Sequence, residues 1–482
     1  MEEDIYREAI LMHFKTIFKS FKNKDMLKRI FAVLGILVVY RFLAHIPVPM
    51  GDATTFKDAM ANLISKSDFG NFLNLIAGGG LANFAIILVG MSPYITASII
   101  SQLMTKAIPR LEELSEDGES GRRKINQWTR VLSVPLAIVQ SIAYCYILFQ
   151  SMGSYSTTAF TPTFHDWFIA VTAMTAGSVI LMWLGELITE QGIGNGISTI
   201  IFLSIVSQFQ TTATQLGSAL FDTSSGSLSM FGWLNLPVNP TVFWILLGFG
   251  IALVIAFYFL VKVNEAQRII NIYYAKRVHG NTEYRPVRSI IPIKLIAAGV
   301  IPVIFATAFL SLPALVGQFI TSANPDSGIG QTLTNVFTAP SAQNFSSMYP
   351  DGITAQWFIY PALYFALVVM FTYFYTSIIF NTKEIADNLQ KQGGFIEGVR
   401  PGMSTAKYLD RTVVRLNFFG SLTLGFIAMI PFVTDYIFIM LTGQPLGLSI
   451  SGTGLLIVVT VALENLRSID SRALMVTYDD YK

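Results

Sequence analysis

Six ionisable residues lie in or beside the long apolar runs of this 482-residue chain: Arg41, Arg130, Glu186, Lys262, Arg415 and Glu464. Each falls near the end of its run, none at the middle. A charge at the centre of a bilayer costs ~2.5–3.5 kcal/mol on insertion scales and is retained where it moves a proton, an ion or a bond. Charge-free midpoints therefore argue against an ion-coupled transporter, and against an intramembrane enzyme that needs paired carboxylates or a Ser-His couple at depth. The single cysteine, Cys145, excludes a disulfide framework and any cysteine-based metal cluster, and His13, His45, His165 and His279 make no pair at metal-ligand spacing. No G-x-x-x-x-G-K-[ST] loop offers a nucleotide site. What does collect is polar and uncharged: Thr96, Ser98, Ser101 and Gln102 behind Pro93, with Gln140 and Ser141 in the next apolar run. Such groups either hydrogen-bond a neighbouring helix or line an interface that opens.

The elements that position these residues are membrane spans. Hydrophobic residues make up 52% of the chain and charged ones 13%, about half the charged share of a soluble domain. Runs long enough to cross a bilayer fall at about 28–46, 82–104, 126–150, 167–188, 196–216, 241–262, 293–316, 357–380, 412–432 and 448–465. Ten spans put both termini on one side. Of the 32 Lys and Arg residues, 29 fall on that side, Lys57 and Lys66 fall in the first opposite loop and Arg41 late in the first span, which makes the side of the 29 cytoplasmic. A long charged stretch precedes the first run, so no cleavable signal is expected.

Two short segments stand outside this count. Phe14, Ile17, Phe18 and Phe21 alternate with Lys15, Lys19 and Lys22, as in an amphipathic helix on an anionic leaflet or a solvated helix with a few apolar residues. The stretch from Asp68 to Leu81 is apolar on one face, too short to span, and closed by Gly78, Gly79 and Gly80. It reads as a half-helix entering from the outer side, or as a helix resting on the outer leaflet. The first reading implies a cavity, because irregular backbone at membrane depth survives only inside protein or beside water.

The stretches GGGLANFAIILVGMSPYITASIISQL, EDGESGRRKINQWTR, ITEQGIGNGIS, NEAQRIINIYYAKR, GVIPVIFA and GVRPGMSTAKYL carry a closer likeness. With these stretches the chain resembles the SecY family, the channel subunits of the bacterial protein-translocation complex, from about Met26 to Met475.

That resemblance implies an all-α polytopic membrane protein with ten transmembrane helices in two inverted, pseudo-symmetric five-helix halves around a central pore. The expected parts are a cytoplasmic amphipathic segment 1–27, a first half 28–216, an external hinge loop 217–240, a second half 241–465 and a cytoplasmic tail 466–482. The family's plug corresponds to 69–80, with Phe69, Phe72, Leu73, Leu75, Ile76, Gly78, Gly79 and Gly80. Its ring of aliphatic pore residues corresponds to Met91, Ile95, Ile197, Ile201, Ile304 and Ile457, where Met91 replaces the usual isoleucine. A narrow apolar neck of this kind dewets and blocks ions, while its pliable side chains close around a passing chain.

The family's lateral gate falls on Thr96, Gln102 and Gln140 facing Ala308 and Leu312, the last two replacing the frequent Ser and Phe. Its docking residues fall on Arg268, Lys276 and Arg277 in the cytoplasmic loop 263–292, and on Arg400 in the loop 381–411. Arg268 is followed by Ile269 where a basic pair is usual.

The resemblance implies no cofactor and no covalent chemistry. It implies passage of unfolded secretory chains across the cell (inner) membrane and sideways release of hydrophobic segments into lipid. The expected partners are the membrane subunits SecE and SecG, the SecA motor ATPase, the ribosome, signal peptides and membrane lipid. A secondary transporter for a small solute, which also tolerates inverted repeats and a broken helix, is the competing reading.

Overall fold

The computed structural model of the chain describes residues 24–49, 84–155, 163–221, 228–230, 234–236, 238–274, 278–279, 282–283, 288–299, 301–324, 327–338, 358–442 and 448–479. The expected plug, 69–80, lies outside the described residues, as do Lys276, Arg277 and the segment before Lys24.

The first half of the chain forms α1 (Lys24–Leu43), α2 (Ser92–Ala107), α3 (Pro109–Glu116), α4 (Glu119–Tyr155), α5 (Phe164–Gln191) and α6 (Gly196–Leu220). A hairpin of β1 (Leu228–Met230) and β2 (Leu234–Leu236) follows, and α7 (Pro240–Glu265) opens the second half. Next come β3 (Gln267–Tyr274), β4 (Val278–His279), β5 (Thr282–Glu283) and β6 (Arg288–Lys294), then α8 (Ile301–Ala323) and α9 (Gly328–Phe337). The chain closes with α10 (Ile359–Ile379), α11 (Thr382–Lys391), β7 (Gly394–Phe395), α12 (Met403–Thr442) and α13 (Leu448–Asp479). Among the described residues five stretches are long and apolar enough to cross a membrane: Glu119–Gln150, Phe164–Gln191, Ile301–Ala323, Ile359–Lys391 and Met403–Ile430.

Local chemistry sets the ends of these helices. Thr163 and Asp166 form a reciprocal capping box that starts α5, satisfying backbone donors left over at a helix N-terminus. Gly192, at φ 70°, stops it. The chain then reverses through Gly194, also left-handed at φ 73°, and Asn195 caps α6 by accepting the Ile197 N–H at 3.0 Å. Both glycines occupy a conformation that costs a side-chain-bearing residue of ordinary shape ~1–2 kcal/mol.

Two expected spans begin later than their apolar runs. The run from 82 is not helical until Ser92. Residues 84–91 instead pass through the interior as irregular, largely buried backbone. The Val48 N–H donates to the Phe84 carbonyl at 2.9 Å, and the Ile86 N–H to the Ile46 carbonyl at 3.0 Å. The Ser178 hydroxyl of α5 donates to the Gly90 carbonyl at 2.9 Å. Neighbouring Gly177 lets this irregular segment approach so closely that a Cβ there would lie 2.1 Å from the Ile86 carbonyl oxygen. Enclosure by protein satisfies this backbone at a depth where lipid could not. The run from 293 also begins as strand, because β6 pairs antiparallel with β3 (Ile270 opposite Ile291, Gln267 opposite Lys294), and helix α8 starts only at Ile301.

Strand β3 pairs on its other edge with β7, Tyr273 opposite Phe395 and Tyr274 opposite Gly394. The resulting sheet, in the order β6-β3-β7, joins the two loops that the resemblance assigns to docking. One face packs Ile270 and Ile293 over Ile396, Leu409 and Val413. The main core runs through both halves of the chain, from Val33 and Tyr40 of α1 to Ile457 and Val461 of α13.

Candidate pore and gate site

Met91 ends the irregular segment, Ile95 sits one turn into α2, Ile197 and Ile201 occupy the first turns of α6, Ile304 the first turn of α8, and Ile457 lies on α13. Although these positions are spread over more than 360 residues, all six belong to one hydrophobic cluster. Met91, Ile95, Ile304 and Ile457 are buried, while Ile197 and Ile201 are half-buried and packed against them. Gly185 on α5 makes room beside Met91 and Ile197: a Cβ there would sit 3.5 Å from Met91 Cε and 3.7 Å from Ile197 Cγ1.

Helix α8 packs against both α2 and α4, the two helices that carry the polar residues singled out in the sequence. Thr96 and Gln140 are buried at 4% and 3% exposure, and Gln102 is half-buried. Gln102 donates through Nε2 to Ser98 Oγ at 3.1 Å, but its Oε1, the Gln140 Oε1 and the Thr96 Oγ1 are enclosed without a hydrogen-bond partner. An enclosed, unpaired polar atom costs ~1–3 kcal/mol. Helices α2 and α4 thus carry three such penalties, which rehydration would remove. On α8, Ala308 is buried and Leu312 half-buried.

Helix α8 is fastened more firmly on its other side. Phe305 meets Phe371 and Tyr375 of α10 edge-on at 6.1 and 5.9 Å between centroids, and Phe309 meets Phe371 at 6.0 Å. One aromatic pair crosses from α8 to α4, Phe319 against Tyr146 at 4.7 Å.

On the loop side, Arg268 and Arg400 are exposed. Arg400 sits in a turn between two left-handed glycines, Gly398 at φ 77° and Gly402 at φ 93°. Its carbonyl accepts the Thr405 hydroxyl at 2.9 Å. The plug candidates Phe69, Phe72, Leu73, Leu75, Ile76, Gly78, Gly79 and Gly80 lie outside the described residues.

The sequence model of the SecY family matches residues 85–466. This chain belongs to the SecY family. It is similar to a protein translocase subunit SecY of Streptomyces griseus, 38% identical over 97% of this chain and 99% of the relative. A solved SecY structure, described as one whose plug domain stabilises the closed state of the translocation channel and maintains a membrane seal, aligns at TM-score 0.61 and 19% identity. That alignment covers 91% of this chain and 90% of the other. Sec61 in the canine ribosome-channel complex aligns at TM-score 0.55 and 18% identity, over 91% and 90%. The SecY-type fold thus extends over nearly the whole chain.

Sequence reasoning missed several features of this SecY-family site. The pairing of Tyr146 with Phe319 has no local signature. The contacts of α13 with α6 and with α7 were equally invisible: Asn465 Nδ2 donates to Thr199 Oγ1 of α6 at 3.3 Å, and Arg467 donates from Nη1 to Asn264 Oδ1 of α7 at 2.9 Å and from Nη2 to its carbonyl at 3.3 Å. A signal did exist for the first of these, in the alternating glycines of ITEQGIGNGIS, which are useful only where another chain element comes close.

Proposed function

We propose that this chain is the central pore of a protein-conducting channel, passing unfolded polypeptides through a constriction formed by Met91, Ile95, Ile197, Ile201, Ile304 and Ile457. The observation that supports it most is the convergence of these six apolar side chains, from four distant parts of the sequence, into one cluster. An apolar neck needs no recognition chemistry and suits cargo of any sequence, since it excludes water when empty and yields when filled.

Hydrophobic segments leave sideways between α2 and α4 on one hand and α8 and α10 on the other, past Thr96, Gln102 and Gln140 facing Ala308 and Leu312. The enclosed unpaired oxygens on α2 and α4 support this, because they lower the cost of parting that seam. The plug is residues 69–80. The chain crosses the cell membrane ten times in two inverted halves hinged at 217–240, with both termini cytoplasmic. Arg268, Lys276, Arg277 and Arg400 dock the SecA motor or the ribosome, which supply the free energy, and SecE and SecG complete the membrane complex. The described ribosome-bound relative supports the ribosome as one such partner.

The test is conductance together with transport: vesicles containing the purified complex should be ion-tight at rest and should import a secretory precursor only with a motor present. Saturable uptake of a small solute by the chain alone would instead favour the transporter.

A further inference from the structure

The two stretches of irregular backbone that lead into α2 and α8 are built to one plan. Each ends in a left-handed glycine, Gly90 at φ 63° and Gly299 at φ 61°, and the first turn of the helix that follows holds a proline, Pro93 or Pro302. Each also borrows a carbonyl from the chain beyond the end of an earlier helix. The Ile86 N–H donates to the Ile46 carbonyl after α1 at 3.0 Å, and the Leu295 N–H to the Ala266 carbonyl after α7 at 2.8 Å. Ile86 and Leu295 stand at the same distance, four residues, before their left-handed glycines.

The same two residues rest on glycines of other helices. A Cβ on Gly177 of α5 would lie 2.1 Å from the Ile86 carbonyl oxygen, and one on Gly420 of α12 would lie 2.2 Å from that of Leu295. Both approaches are to backbone, which cannot swing aside as the end of a side chain does, so each glycine fixes how deeply the segment lies against its helix. Nine residues beyond Ile86 stands the candidate ring residue Ile95, and nine beyond Leu295 stands Ile304. A serine follows each glycine, and here the two seats differ. Ser178 reaches across to the segment and donates to the Gly90 carbonyl at 2.9 Å, whereas Ser421 donates to the Phe418 carbonyl of its own helix at 3.0 Å.

We infer that Gly177 and Gly420 are paired positioning residues for the constriction. Each seats the backbone nine residues ahead of a ring isoleucine, and so sets where Ile95 and Ile304 stand in the neck. Ser178 adds a tie at the first seat that Ser421 does not make at the second. This inference rests on the pore reading above, and it concerns where the closed ring is held rather than how the helices part.

Gly177→Ala and Gly420→Ala each put a methyl where a carbonyl now stands, and the segment must move by about 1 Å to admit it. An apolar neck holds back water and ions only while its side chains meet. Either variant complex should show a several-fold higher resting conductance in planar bilayers. Vesicles containing it should import a precursor with a defective signal about tenfold more than the unaltered complex does, with import of the intact precursor retained. Gly425→Ala is the control, because its Cβ would lie 2.7 Å from Phe365 Cε2 and so overpacks α12 against α10. It should lower the unfolding temperature and leave conductance and signal discrimination unchanged.

Should the alanine variants fail to accumulate, the serines carry the test without overpacking: Ser178→Ala should raise the resting conductance and Ser421→Ala should not. Unaltered conductance and discrimination in Gly177→Ala and Gly420→Ala would overturn the inference, as would an equal leak from Gly425→Ala. Ile457→Asn, measured alongside, separates the two readings. A leak there with tight seat variants removes the seats and leaves the pore, while tight membranes in all three variants remove the pore reading as well.

Discussion

At the scale of single residues, the constriction and the docking turn make separate predictions. Ile457 is buried in the common cluster on α13, so Ile457→Asn would place an amide inside an apolar cluster. Water gains a hydrogen-bond partner in the neck, and the wetted state becomes cheaper. The expected result is a several-fold higher resting conductance in planar bilayers, with import of precursors that carry defective signals. Lower accumulation at unchanged conductance would mean that Ile457 faces lipid.

Arg400 is exposed in a turn shaped by two left-handed glycines, which fixes the direction of its guanidinium without burying it. Isolated surface charges contribute ~0–1 kcal/mol to folding, so Arg400→Glu should leave accumulation and thermal stability intact. A planar fork binds a carboxylate in a way that an ammonium does not. Motor-driven import should fall about tenfold in Arg400→Glu, the equivalent of ~1.4 kcal/mol, and less in Arg400→Lys. Exposed Lys391, at the end of α11, is the control. Equal losses from Arg400→Glu and Lys391→Glu would reduce the effect to bulk charge.

At the scale of elements, the irregular segment 84–91 is the part of the fold least legible in the sequence. Its residues are as apolar as any helix, and hydrophobic runs of this length do not distinguish helix from buried extended chain. Only Gly90 and Pro93 hinted at a break, and the partners that satisfy its backbone, at Ile46, Val48 and Ser178, are far away in sequence. Strand β6 was hidden for a similar reason, since Ile290, Ile291 and Ile293 run into the apolar stretch before α8 with only Pro292, Lys294 and Gly299 between them. The long helices and the polar residues of α2 and α4 were legible, because period and composition are local properties.

The close approach at Gly177 gives this segment a test of its own. A Cβ 2.1 Å from a carbonyl oxygen cannot be accommodated by rotating a side chain. Gly177→Ala should therefore destabilise the protein by ~1–3 kcal/mol, as overpacking does. It would be read as a lower unfolding temperature in detergent. Ser178→Ala removes one hydrogen bond, worth ~0.5–1.5 kcal/mol, and should shift it less.

At the scale of the whole molecule, the arrangement proposed across the membrane is a prediction from where the 32 basic residues fall in the chain. With Cys145 replaced by Ser, single cysteines at Ser115, His279 and Gln392 should react with an impermeant maleimide only from the cytoplasmic side. Cysteines at Ser156, Ser225 and Ser341 should react only from outside. Labelling at His279 in intact cells would reverse the orientation. Composition predicts this layer of organisation because it is written in averages over long loops. The assembly of the ring from four distant segments came through the family resemblance, since each isoleucine alone is indistinguishable from lipid-facing ones.

The pairing of β3 with β7 bears on how a partner binds. Through two residue pairs it couples the chain after α7 to the chain after α11, so that the loops carrying Arg268 and Arg400 share one sheet. A partner touching one loop finds the other already held at high effective concentration, and the ordering entropy of the second contact has been met in folding. The two loops should accordingly behave as a single composite epitope. Weakening one contact would slow no encounter but would shorten residence, so affinity losses from separate loop substitutions should appear chiefly in the dissociation rate.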